Sequence, residues 1–128
     1  MSKQTISTPN APAAVGPYSQ AVVTNGMIFT AGQIGLVPET GQMIEGDVAA
    51  QTRQVLQNLK AVLTEAGSGL DEIVKTTEFL QNMDDFAAMN GVYSEFFSTP
   101  YPARSTVEVA RLPKNGLVEI ECIALVKS

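Results

Sequence analysis

Arg104 follows Pro100 and Pro102, which fix the approach of the chain to a β-rich run. A guanidinium placed there can take a carboxylate bidentately, with five donors in a planar fork. It can equally be an exposed, salt-bridging arginine, and spacing alone favours that plainer role. Glu119 and Glu121 alternate within Leu117–Val126, so they share one strand face about 7 Å apart. If that face is covered, at least one carboxylate must be paired or hold its proton more firmly. Two roles then stand side by side: an inter-subunit ion pair, to Arg104 among others, or a carboxylate that positions or deprotonates water. Tyr18 follows Gly16-Pro17, a turn that aims a phenol at a fixed point, although packing is the simpler use of a tyrosine. Gly32, in Thr30-Ala31-Gly32-Gln33, permits close backbone approach or marks a bulge.

Other chemistry is excluded by composition. The chain has no His, hence no imidazole base, no Ser-His-Asp or Cys-His nucleophile and no His-ligated metal. Cys122 is the only cysteine and lies in an apolar run, where a buried, inert thiol is expected. No phosphate loop, dinucleotide fingerprint or metal motif occurs, so neither a metal nor another cofactor is expected. Eight basic against thirteen acidic residues give a net charge of −5. The cations are scattered, against the clustered Lys and Arg that nucleic acid requires. With no signal-like or membrane-spanning stretch, the expected setting is the cytoplasm.

These residues need elements to position them, and residues 1–128 read as one domain. Met1–Val15 reads as an extended arm. Tyr18–Thr24 and Met27–Thr30 flank Asn25-Gly26, the strongest short signal for a hairpin. Asp47 opens a helix, Val48 to Leu63 supply an apolar stripe, and Gly67 ends it. Gln51, Arg53, Gln54, Asn58 and Lys60 fall mostly on its wet side. Ile73–Leu80 is a strand candidate. A second helix, capped by Asp84 or Asp85, carries Phe86, Met89, Tyr93, Phe96 and Phe97 as a core stripe. Ala103–Ala110 and Leu117–Val126 close the chain around the turn Pro113-Lys114-Asn115-Gly116. The order β-β-α-β-α-β-β predicts an α+β fold, one mixed sheet with two helices on one face. Leu117, Ile123 and Leu125 on the other face imply a covering partner, most simply another copy.

The same residues carry a resemblance. Pro102-Ala103-Arg104-Ser105, with Val107 to Pro113 and Val118-Glu119-Ile120-Glu121, resembles the signature of the Rid family, the YjgF-type reactive-intermediate deaminases. Ala11–Gln20 and Ala31-Gly32-Gln33-Ile34-Gly35 resemble that family's N-terminal and second-strand motifs. The resemblance implies a chorismate-mutase-like fold, a homotrimer with clefts between subunits, and hydrolysis of 2-imino acids to 2-oxo acids and ammonia. It also implies that Arg104 clamps the substrate carboxylate, Glu119 orients the attacking water and Tyr18 closes the pocket, while backbone at Thr106 and Gly32 lines it. Two positions depart: many deaminating members carry Cys at Thr106, and several carry Ser at Ala31. A carboxylate-binding or chaperone-like trimer without turnover, and a ribonuclease or translation inhibitor, are the rival readings.

Overall fold

The computed structural model describes residues 2–127. The N-terminal stretch holds more than an arm. Gln4–Ile6 forms an edge strand, β1, paired antiparallel with β2 (Ala21–Thr24). Only Ile6 of those three residues is buried, so no alternating apolar pattern announced the strand. The element order therefore gains one strand over the sequence expectation. Gln20 fixes the return of this segment: its buried side-chain amide donates to Thr8 and Pro12 carbonyls and accepts from the Thr8 amide.

Asn25 and Gly26 both adopt positive φ, 54° and 74°, and turn β2 into β3 (Met27–Thr30) as the Asn-Gly pair predicts. Helix α1 (Val48–Glu65) begins at Asp47, whose carboxylate accepts from the Ala50 amide at 3.1 Å. Gly67, at φ 79°, follows its last turn. Strand β4 (Ile73–Leu80) leads to α2 (Phe86–Phe96), and α2 to β5 (Ala103–Glu108), parallel to β4. Neither Asp84 nor Asp85 caps α2 with its side chain. Asn82 instead accepts from the Asp84 amide in a 3₁₀ turn before the helix.

Strand β6 (Val118–Leu125) runs between β3 and β4, giving the mixed sheet β1-β2-β3-β6-β4-β5. Its alternation is the predicted one. Val118, Ile120, Cys122 and Ala124 are buried beneath the helices with Leu56, Leu59, Leu63 and Met89. Two of the polar residues expected on the wet side of α1 are in fact buried, Gln51 and Asn58. Each serves a backbone that would otherwise go unpaired. Gln51 accepts from the Leu117 amide, and Asn58 donates to the carbonyls of Ile34 and Leu36. No described helix is long and apolar enough to cross a membrane.

The opposite face of the sheet carries no helix. By register, Phe29, Phe79, Ile123, Leu125 and Val107 share that face, and Phe29, Val107 and Leu125 are each more than 40% exposed.

Candidate active site

The first group of residues gathers where β3 leaves its ladder. Phe29 pairs with Ile123 and Gln33 with Ile120, so four steps on one strand oppose three on the other. The extra residue is a bulge at Thr30–Gly32, one of the two roles open to that glycine. Gly32 passes so close to β6 that a Cβ there would collide with the carboxylate of Glu119. Glu119 is thereby held on the helix-free face, at the wall of a cavity of about 800 Å³. Tyr18, Ile34, Leu36 and Lys114 line the same cavity. The Tyr18 hydroxyl accepts from the Val15 amide at 3.4 Å, which keeps the ring, 54% exposed, at the rim. Burial raises the Glu119 carboxyl above its ordinary range, and the neighbouring charge of Glu121 adds to the effect. A carboxylate so tuned is a better base toward water near neutral pH.

Arg104 and Thr106 lie elsewhere. They sit on β5, two strands from Glu119, with their side chains on the helix face. Arg104 is held tightly there. Its Nη1 donates to Asn90 Oδ1 at 2.6 Å, and its Nε faces Oε1 of Glu78 at 3.6 Å. Its guanidinium stands 4.8 Å from the Tyr93 ring centre and 5.5 Å from that of Phe86, within cation–π range. Phe86, Asn90 and Tyr93 recur along one side of α2. The aromatic stripe read as core is thus also a platform for the arginine. Thr106 donates to Oε1 of Glu78 at 3.2 Å. Glu121, by contrast, is exposed.

The structure therefore brings Tyr18, Gly32 and Glu119 together and sets Arg104 and Thr106 apart, across the sheet. Glu78, Asn90 and Tyr93, which hold Arg104, were not among the site residues the sequence suggested. One signal for Glu78 was present: it occupies a core-facing position of β4 between Thr76 and Leu80, where a charge demands a partner. Cys122 is buried and its thiol is pushed up to about 12, mainly by that burial, as expected of an inert cysteine. Among the described residues no cluster of three or more side chains suits a metal ion.

Six mixed strands backed by two helices, with a carboxylate cavity on one face of the sheet and a guanidinium on the other, define an α+β protein whose candidate site residues are split between those two faces. The chain belongs to the Endoribonuclease L-PSP family, whose sequence profile matches residues 8–126, and this bears out the resemblance to the Rid proteins. The 2-iminobutanoate/2-iminopropanoate deaminase of Escherichia coli strain K12 is 53% identical over 128 residues, covering 98% of each chain. A Yersinia pestis structure, described as a protein of unknown function of the conserved Rid family, superposes with a TM-score of 0.95 at 52% identity, covering 98% of this chain and 100% of that one. Escherichia coli TdcF, solved with bound serine, superposes with a TM-score of 0.91 at 46% identity, covering 98% and 99%.

Proposed function

We propose that this protein hydrolyses small 2-imino acids to 2-oxo acids and ammonia, at sites formed between the subunits of a homotrimer. The observation that carries this reading is the division of the site. Glu119, Gly32 and Tyr18 stand on one face, Arg104 and Thr106 on the other, and one chain cannot bring them to a single ligand. A second copy, seated on the helix-free face with its β5 edge beside the Glu119 cavity, can. The exposed apolar residues of that face give such packing its driving force.

The chemistry suits these groups. The outer edge of the Arg104 fork takes both substrate carboxylate oxygens and fixes the imine plane. Glu119 accepts a proton from water as the water oxygen bonds to the imine carbon, and passes that proton to the nitrogen, which regenerates the carboxylate. As the carbon–nitrogen bond of the resulting carbinolamine breaks, its hydroxyl proton moves to the nitrogen, which leaves as ammonia and yields the 2-oxo acid. An imine is already electrophilic, so no cofactor is invoked. The Escherichia coli relative named for this activity, and the serine bound by TdcF, support a small carboxylate as ligand. The net charge of −5 weighs against the RNA that the family's name suggests.

The test couples threonine and a threonine dehydratase and follows 2-oxobutanoate release, in a buffer where free imine hydrolyses slowly. Catalytic amounts of this protein should accelerate release. An unchanged time course at stoichiometric protein would leave a binding role without turnover.

A further inference from the structure

Glu78 is wholly buried on the helix face of β4, and its two oxygens differ. Oε1 accepts from the Thr106 hydroxyl and faces Nε of Arg104. Oε2 is sealed from solvent and has no hydrogen-bond partner among the described residues, the nearby Thr76 hydroxyl being paired with that of Tyr93 at 2.8 Å. Arg104 is restrained by Glu78 at Nε, by Asn90 at Nη1 and by the rings of Tyr93 and Phe86. The Nη2 donors and the second Nη1 hydrogen remain, the edge that grips a carboxylate bidentately.

Building on the clamp role of Arg104, we propose that Glu78 is its positioning residue and its proton-linked counter-charge. It holds the Nε edge inward, and it takes up a proton when an anionic ligand occupies the outer edge. The physical cause is competition. An arriving carboxylate places a second negative charge on a cation that Glu78 already shares, and a bare buried oxygen is where a proton settles most readily. The proton comes from solvent, and Thr106 keeps its contact with Oε1 in either state.

The other titratable and charged groups around Glu78 do not supply this response. They are Arg104 from β5, Tyr93 from α2 and Lys75 from its own strand, with Ile120 opposite on β6 and Cys122 next along that strand. The buried face of α1 is uncharged. Burial raises the Tyr93 and Cys122 groups further, so both keep their protons near neutral pH. Burial already pushes the Glu78 carboxyl up, against the pull of Thr76, Thr106, Arg104 and Lys75.

Calorimetric titration of the trimer with 2-oxobutanoate, from about pH 5.5 to 8 in two buffers of different ionisation heat, tests the linkage. The wild type should bind more weakly as pH rises, by at most about tenfold per unit for one linked proton, and should take up protons on binding. Glu78→Gln should bind more tightly than the wild type at pH 8, with a flat profile and no uptake. Glu119 titrates too, so Glu119→Gln must retain the slope that Glu78→Gln loses. Should Glu78→Gln fold poorly, Thr106→Val removes the hydroxyl that stabilises the charged carboxylate, and should move the midpoint to higher pH. A wild-type slope in Glu78→Gln, or an unmoved midpoint in Thr106→Val, overturns the linkage. So does a flat wild-type profile, while continued dependence of binding on Arg104 would leave the clamp standing. If the wild type fails to bind, or Arg104→Ala binds as well, the clamp falls and this inference with it.

Discussion

At the scale of single residues, the proposed hydrolysis rests on one guanidinium and one carboxylate in unlike surroundings. Arg104 is clasped by Asn90, Glu78 and two rings, and lysine can reproduce its charge but not its fork. Arg104→Lys should therefore lose most deaminase activity, and Arg104→Ala nearly all. Removing one partner of a desolvated charged contact costs on the order of 2–5 kcal/mol, more than about thirtyfold in binding. Wild-type turnover of 2-iminobutanoate by Arg104→Lys would refute the clamp. Glu119→Gln should cut turnover while improving stability at neutral pH. Because its carboxyl is raised in the folded chain, the native state holds the proton more firmly than the unfolded one. The stability this confers is complete below the ordinary carboxylate range, near pH 4, and drains away as pH climbs through the folded value. Thermal melts of the two proteins at matched concentration should diverge above about pH 5, with the glutamine variant higher. Both Arg104 and Glu119 were legible in the sequence through their motifs. Glu78 showed only as a charge at a core-facing position, because its meaning depends on a neighbour brought by the parallel pairing of β4 and β5.

The elements themselves were readable where local rules dominate. Asn25-Gly26 could form a tight hairpin, and the apolar stripe of α1 needed a core whichever sheet lay beneath it. Short-range patterning failed where tertiary hydrogen bonds decide. Strand β1 exists because β2 offers it an edge, and Gln51 and Asn58 leave the wet side of α1 because the loops at Leu117, Ile34 and Leu36 need partners. The bulge between β3 and β6 is the element that shapes the candidate site. It lets Gly32 lie against Glu119, and the colliding atoms are the far end of a flexible side chain. Gly32→Ala should consequently fold almost as well as the wild type while displacing the carboxylate. Turnover should fall at least about tenfold, the equivalent of roughly 1.4 kcal/mol in transition-state stabilisation. Full activity in the Gly32→Ala variant would mean that the position of Glu119 over the bulge is immaterial. By comparison, Leu59→Ala, deep in the core, should cost about 2–5 kcal/mol of stability in denaturant titrations and leave the site's pH profile unmoved.

For the whole molecule, the question is what covers the helix-free face. Along β3 and β6 that face presents Met27, Phe29, Ile123 and Leu125 as neighbours, a continuous apolar strip that water alone would cover at a cost. The same face carries Glu119, so in the proposed trimer covering it and completing the site are one event. Sequence alternation placed Ile123 and Leu125 on this face, together with Leu117, which instead packs against the core, but it could not say which edge of a second copy would meet them. Ile123→Glu separates the interface from the fold. Ile123 is only half-buried in the single chain and lies opposite Lys75 on β4. A glutamate there has water and a cation beside it as a monomer, and folding should survive. Between subunits the same carboxylate would be desolvated, with a penalty of several kcal/mol per ion, repeated at each symmetry-related contact. Light scattering should give about three times the 13.6 kDa chain for the wild type and a single chain for Ile123→Glu. Circular dichroism of the variant should stay native, while its deaminase activity disappears although Arg104 and Glu119 are both intact. Full activity in a monomeric Ile123→Glu would show that one chain is enough. A wild type that stays monomeric at micromolar concentration would remove the shared site altogether.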